Sequence, residues 1–183
     1  MDGKEKILLH VCCAPCSTTV VERLFEQGYE VILFYSNSNI HPEEEYRRRL
    51  HEAHRLAEIY QIDLLEDIYD HQAWLDHIRG YEDAPERGER CMRCFHYNLS
   101  RAASAAKNIK CAGFTTTLSV SRHKSSKDIF LAGGQFPGFL AMDFKKKDGY
   151  ARSIELSRQL DLYRQDYCGC EFSKKGIKFR VQG

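Results

Sequence analysis

At 183 residues, with 43% hydrophobic and 29% charged side chains and a net charge of only +1, the chain has room for one globular domain with a sizeable core. It is too short for two full domains, and no apolar run approaches the length of a membrane span. The apolar stretch near the N-terminus is also too short for a signal-peptide core, so the sequence places the chain in the cytoplasm, off the membrane.

Residues 6 to 11, KILLHV, read as a first buried strand that runs into the loop HVCCAPCST. CSTTVVERLFEQG follows as a helix, with Cys16, Val20 and Leu24 at spacing four and Gly28 at its C-terminal stop. YEVILFYSNSNI is a second buried strand closing in a Ser/Asn loop. Pro42 opens the next helix, whose first turn carries three glutamates, and Tyr46, Leu50, Ala53, Ala57 and Tyr60 mark its buried face. IDLLEDIYD is a third strand, and HQAWLDHIRGY holds a short helix. After the loop EDAPERGER, CMRCFHYNLSRAASAAKN forms a helix with Phe95, Leu99, Ala102 and Ala106 on one face. CAGFTTTLSV gives a fourth strand, SSKDIFLAGGQF a helix ending at its glycines, and FLAMDF a fifth strand. The tail carries one clear helix and then irregular chain.

Strands alternating with helices imply an α/β fold: an open, mostly parallel sheet with helices on both faces, in a single domain over residues 1–183. Ligands of such sheets bind at the carboxyl ends of the strands, near a switch in strand order. Charge is unevenly spread. Residues 42 to 90 carry seven basic and fourteen acidic side chains, whereas residues 144 to 183 carry ten basic and five acidic. The C-terminal segment is therefore a candidate surface for an anionic partner, with a solvated face as the plainer explanation.

Eight cysteines sit at 12, 13, 16, 91, 94, 111, 168 and 170, seven of them in three tight groups. In a reducing compartment, grouped thiols point to metal or redox chemistry rather than a disulfide scaffold. Cys91 and Cys94 fall at i and i+3 where a helix begins, so both sulfurs share one face, and Arg90 and Arg93 favour the thiolate form. With two cysteines of the first loop they would make a four-thiolate site for zinc or an iron–sulfur cluster. The adjacent pair Cys12–Cys13 favours the cluster, because neighbouring thiolates diverge from an extended backbone and suit separate irons better than one small ion. Cys168-Gly169-Cys170 can close a small, strained disulfide ring of the labile kind, or supply two more metal ligands. Cys111 reads as a buried apolar residue. His10, His41, His51, His54 and His71 show no ligand pattern and read as core or surface residues. TTTLSVSRHKSS offers hydroxyls and bases for phosphate, but neither G-x-G-x-x-G nor a Walker motif is present.

LLHVCCAPCS, NIHPEEEYRRR, ERCMRC, TTTLSVS and DFKKKDGYARSIELSRQLDLYRQDYCGC together resemble the QueH family of epoxyqueuosine reductases, in order, from about residue 7 to residue 173. The resemblance implies a cytoplasmic oxidoreductase that completes queuosine formation, removing the epoxide oxygen of epoxyqueuosine at the wobble position of a tRNA. It implies a [4Fe-4S] cluster at Cys12, Cys13, Cys91 and Cys94, a redox-active pair at Cys168 and Cys170, and a separate electron donor. Cys16 and Asp143 are left over in matched motifs, as candidates for an additional iron or for proton delivery. The implied fold is the nucleotide-hydrolase (HUP)-like sheet of tRNA thiolation enzymes, with HVCCAPCST standing where those enzymes carry a phosphate-gripping loop. A cluster-dependent tRNA thiolation enzyme and a zinc-stabilised RNA-binding module without catalysis are the competing expectations.

Overall fold

The computed structural model describes residues 3–173 and is built on four parallel strands in the order β3-β2-β1-β4. These are β1 (Lys6–Val11), β2 (Glu30–Tyr35), β3 (Leu64–Glu66) and β4 (Gly113–Thr116). Register runs Leu8 to Ile32 and Leu8 to Phe114, so β1 is paired on both edges, and its sequence is apolar apart from Lys6 at its start and the buried His10. Alternate residues of the strands supply two cores. On one face Leu9, Val11, Leu33 and Tyr35 pack against Val20 and Leu24 of α1 (Ala14–Glu26) and Ala53 and Leu56 of α2 (Glu43–Tyr60). On the other, Leu8, Phe34 and Phe114 meet Phe95, Leu99 and Ala102 of α4 (Glu89–Asn108) and Ile129 of α5 (Ser126–Gly133). Each fully buried Leu or Phe here contributes about 1.5–3 kcal/mol. The short α3 (His71–His77) buries Trp74, and α6 (Gly149–Gln159) packs along α1. Helices thus cover both faces of an all-parallel sheet, as the alternating pattern implies.

The chain steps outward from β1 to β3 and then crosses to the far side of β1 for β4. The order therefore switches between β1 and β4, and their carboxyl ends frame a crevice. Buried hydrogen bonds hold that edge. His10 donates from Nε2 to the Ser36 carbonyl at 3.0 Å and accepts at Nδ1 from Thr116 Oγ1 at 2.9 Å. Burial pushes this imidazole down to about 4, so it is a neutral structural histidine.

Two expectations need correction. FLAMDF is not a fifth strand: only Phe139 bridges to Phe114, with Leu140 N donating to the Phe114 carbonyl at 2.8 Å. The chain then bends, because Thr115 Oγ1 takes the Leu140 carbonyl and Met142 N turns back onto it. The third strand is three residues long; Asp67 N still donates to the Tyr35 carbonyl at 2.9 Å, and its side chain meets Ser36 and Arg101. The basic segment is only partly in view, because Lys174, Lys175, Lys178 and Arg180 lie outside the described residues. Arg152 is paired with Glu22 and Glu155, and Lys145 donates to the Lys124 carbonyl. Among the described residues no helix is long and apolar enough to cross a membrane.

Candidate active site

The strand β1 enters α1 through one extended residue, Cys13 (φ −166°, ψ 155°), which is the N-cap, and Pro15 stands in the first turn. Pro suits that position because its missing N–H would have had no helical partner. This abrupt turn places Cys12, Cys13 and Cys16 with their sulfurs within 4.8 Å of one another at the positive end of α1. Thr117, at the end of β4, accepts from Cys12 N at 3.0 Å and donates to Cys12 Sγ at 3.1 Å, tying the loop across the switch point. Within the triad Cys13 is the most acidic thiol, because Cys12 and Cys16 hydrogen-bond to its sulfur. Cys12 is pushed up to about 12 by the same hydrogen bond, and Cys16 is raised well above its usual value.

The second group, Cys91 and Cys94, occupies the first turn and a half of α4, where Cys91 Sγ accepts from Arg87 N at 3.3 Å. Burial raises both thiols, and the charges of Cys168 and Cys170 raise them further. The third group thus faces the second. Gly169 has φ +120°, a conformation open to glycine, and it sets Cys168 and Cys170 on a tight turn. All eight cysteines, the triad included, are free thiols.

The three groups converge. Cys12, Cys16, Cys91, Cys94, Cys168 and Cys170 all line one cavity of about 300 Å³ at the switch point. Among the described residues, four buried side-chain polar atoms lack a close hydrogen-bond partner: Arg90 Nε, Asn98 Oδ1, Gln165 Oε1 and Trp74 Nε1, the last of which favours the Cys94 thiolate only as a weak, long-range donor. All four side chains line this cavity. An unpaired buried group costs about 1–3 kcal/mol, so their convergence marks a space shaped for a polar occupant. Lys124 adds a positive charge: burial acts to lower it, but the cysteines, Cys168 foremost, raise it on balance and keep it protonated.

Of the residues singled out in the sequence, Cys16 sits in one triad with Cys12 and Cys13 rather than apart from them. Asp143 does not line the cavity; its Oδ1 accepts from Ser126 Oγ at 3.1 Å and Lys145 N at 3.2 Å. The hydroxyl-rich stretch puts Ser121, His123, Lys124 and Ser125 on the cavity wall. Sequence reasoning missed Trp74, Asn98 and Gln165, and read Arg90 only as a charge beside the thiols, not as a cavity wall. Asn98, one helical turn beyond Cys94, was the legible one: a polar side chain on a face otherwise buried by Phe95, Leu99 and Ala102.

Residues 7–176 match the family model described as "Epoxyqueuosine reductase QueH". Curated proteins of that name are similar along nearly the whole chain. The one from Streptococcus pyogenes serotype M1 is 37% identical over 183 residues, covering 94% of this chain and 71% of the relative. The Haemophilus influenzae protein is 38% identical over 178 residues (94% and 73%), and that of Thermotoga maritima 31% over 175 residues (91% and 89%). Among solved structures, the U34-tRNA thiolase NcsA from Methanococcus maripaludis with its [4Fe-4S] cluster superposes with a TM-score of 0.59 at 12% identity, over 99% of this chain and 67% of that one. At that identity the likeness is one of fold.

Proposed function

The chain belongs to the epoxyqueuosine reductase QueH family, oxidoreductases of queuosine biosynthesis, and on that premise we propose that the cysteine-lined cavity is where the epoxide oxygen is removed. The substrate in this reading is a cytoplasmic tRNA carrying epoxyqueuosine at its wobble position. One observation carries it: six thiols and four polar atoms without a close partner converge on one cavity at the switch point.

In this reading Cys12, Cys13, Cys91 and Cys94 hold a [4Fe-4S] cluster. The residues fit such a group: all four are free thiols, Cys12, Cys91 and Cys94 line the cavity, and the buried Cys13 lies just behind its wall with its sulfur within 4.8 Å of that of Cys12. When bound, a cluster of this type, with a thiolate on every iron, supplies one-electron transfer. The further assignment, a second iron or proton delivery by Cys16 and Asp143, rests chiefly on Cys16, which lines the cavity beside Cys12.

The remaining work falls to the chain itself. Converting an epoxide to an alkene takes two electrons and two protons, and the oxygen leaves as water. Cys168 and Cys170 release two electrons and two protons when their dithiol closes to a disulfide, so the two half-reactions balance. A separate electron donor then reopens the disulfide. The N–H groups of Trp74 and Arg90 are donors for the departing oxygen, and Asn98 Oδ1 and Gln165 Oε1 are acceptors for substrate hydroxyls. Protonated Lys124 stabilises negative charge that develops on the oxygen. At the rim, the guanidiniums of Arg122 and Arg164 lie 5.1 and 5.4 Å from the ring of Tyr150, a basic and aromatic surface suited to an RNA backbone and an unstacked base.

The test is anaerobic reconstitution with iron and sulfide, followed by reaction with epoxyqueuosine-containing tRNA and a reductant. Queuosine in the digested tRNA is the expected product. A colourless protein that holds zinc alone and leaves the epoxide intact would overturn the reading.

A further inference from the structure

His41, His71 and Glu171 come from three separate parts of the chain: the loop before α2, the first residue of α3, and the position after Cys170. Each offers a ligand atom within 4.8 Å of the other two. The rings of His41 and His71 stack with centroids 4.8 Å apart and planes 21° from parallel. His71 is fixed from behind. Its Nδ1 lies 2.7 Å from the Ser38 carbonyl oxygen, which only accepts, so Nδ1 carries the hydrogen and donates. In the neutral ring Nε2 is then a lone pair, and it faces Glu171 Oε1 at 3.0 Å. Two acceptors at that distance repel unless a cation joins them. A ring nitrogen anchored on a backbone carbonyl, with the other presented outward, is also how metal-ligating histidines are oriented.

Two cations answer this description, a proton and a metal ion. A proton joins His71 to Glu171 and leaves His41 without a part, although its imidazole makes no hydrogen bond among the described residues. A metal ion uses all three once the exposed His41 ring turns out of its stack on His71, because stacked imidazoles direct their in-plane lone pairs along near-parallel planes. We infer that His41, His71 and Glu171 form a binding site for a divalent first-row transition ion, with Zn²⁺ as the reference case, outside the cysteine cavity. Two imidazoles and one carboxylate suit Zn²⁺, Fe²⁺, Co²⁺ or Ni²⁺, whereas Ca²⁺ and Mg²⁺ ask for oxygen ligands. His41 is exposed, so water completes the coordination.

The location gives the site its role. Glu171 directly follows Cys170, and His41 N donates to the Gly169 carbonyl at 2.9 Å. An ion bound here staples the Cys168-Gly169-Cys170 turn to α3 and to the loop before α2. None of the three residues lines the cysteine cavity, so the ion would support the turn without entering the space where the proposed chemistry takes place.

The experiment uses full-length, cluster-reconstituted protein equilibrated anaerobically with Zn²⁺ and freed of unbound metal. Zinc and iron per chain are measured for the wild type, His41→Ala and Glu171→Gln. Each variant is expected to hold about one zinc fewer per chain at unchanged iron, since zinc on thiolates is common to all three. His41 is the primary position because its side chain is exposed, and an unchanged circular-dichroism spectrum certifies its fold. Loading with Co²⁺ instead should give a wild-type-minus-His41→Ala spectrum lacking thiolate-to-cobalt charge transfer. Equal zinc in all three proteins would overturn the inference and leave His71 and Glu171 as a proton-bridged pair. Joint loss of zinc and iron in His41→Ala would also overturn it, by making the histidine part of the support for the thiolate site.

Discussion

Arg49 donates from Nη1 to the carbonyl oxygen of Cys168 at 2.9 Å, reaching from the buried face of α2 to the backbone of the cysteine turn. Its Nη2 takes the Tyr167 carbonyl at 3.2 Å, and its Nε is held by Glu45 Oε1 at 2.7 Å. The arginine side chain is 2% exposed and that of Glu45 11%, so this is an interior ion pair whose spare donors are spent on one loop.

Arg49→Met strands the Glu45 carboxylate and frees the turn. Removing one member of a buried pair costs about 3–5 kcal/mol, so the thermal midpoint should fall clearly. Iron content should stay the same while multiple turnover slows. The double variant Arg49→Met/Glu45→Gln should recover stability without recovering turnover. Recovery of both would reduce Arg49 to a structural residue.

Gly169→Ala probes the same turn from inside. A Cβ there would lie 3.0 Å from Arg49 Nη1 and 3.0 Å from Ile40 Cγ1, at a φ of +120° that side chains rarely adopt. The strain amounts to about 1–3 kcal/mol. Disulfide formation between Cys168 and Cys170 under mild oxidation, followed by thiol titration, should slow markedly while the iron signal persists. A wild-type rate would mean the turn does not need this backbone.

Acid stability has a traceable source in Asp67. Burial favours its protonated form, but Arg101 (Nε at 2.6 Å) and Ser36 Oγ (2.7 Å) outweigh that and hold the carboxyl below its ordinary value of 3.8. The unfolded chain therefore binds the proton first as pH falls. The stabilisation is complete above the unfolded value and is lost as pH drops through the folded one. Asp67→Asn should lower the thermal midpoint at neutral pH, and its deficit against the wild type should shrink on acidification below about pH 4. A deficit that stays constant with pH would assign the loss to packing.

Much of this architecture was legible because the signals are local. KILLHV is apolar at four of its six positions and becomes the doubly paired β1 over the same six residues; the first-turn glutamates of α2 sit where the dipole wants them. What failed was what side chains decide at a distance. Nothing within FLAMDF reveals that Thr115 will take the Leu140 carbonyl and end the pairing after one bridge. Cysteine grouping announced a thiol site, yet only the fold turns Cys91 and Cys94 toward Cys168 and Cys170. His41, His71 and Glu171 are separated by 30 and 100 positions, so no spacing rule could join them.

The RNA surface is also redrawn by the structure. Within the basic C-terminal segment, Lys145 and Arg152 are engaged inside the protein, whereas Lys146 and Lys147 are exposed. Arg164 and Tyr150, which line the cavity, and Arg122, beside the Tyr150 ring, are the better contacts for an RNA backbone. Replacing each with Ala should weaken tRNA binding and reduce the slope of log affinity against log salt by roughly one unit or less. Titrations at several salt concentrations measure this, with Lys146→Ala/Lys147→Ala alongside. A slope that moves only in the lysine variant would return the contact to the segment after Asp143.

The sharpest test concerns how the cysteines divide their labour. If Cys168 and Cys170 are the redox couple, Ser at either position stops multiple turnover but spares the iron, because a hydroxyl cannot close a disulfide while four other thiolates remain. Ser at Cys91 or Cys94 should strip iron and lower stability, since metal binding and folding are coupled. Cys16→Ser discriminates between roles for the third member of the triad: full iron with slowed conversion fits a part beside the cluster, and loss of about one iron per chain fits a second iron site. Iron, acid-labile sulfide, visible absorption and epoxyqueuosine conversion are measured side by side for every variant. Burial and mutual proximity raise Cys91, Cys94 and Cys170 alike, so acidity alone does not sort ligand from redox partner. Cluster loss in the Cys168 or Cys170 variants would make them ligands. Full turnover without either would remove the dithiol from the reaction and leave the iron centre as the source of both electrons.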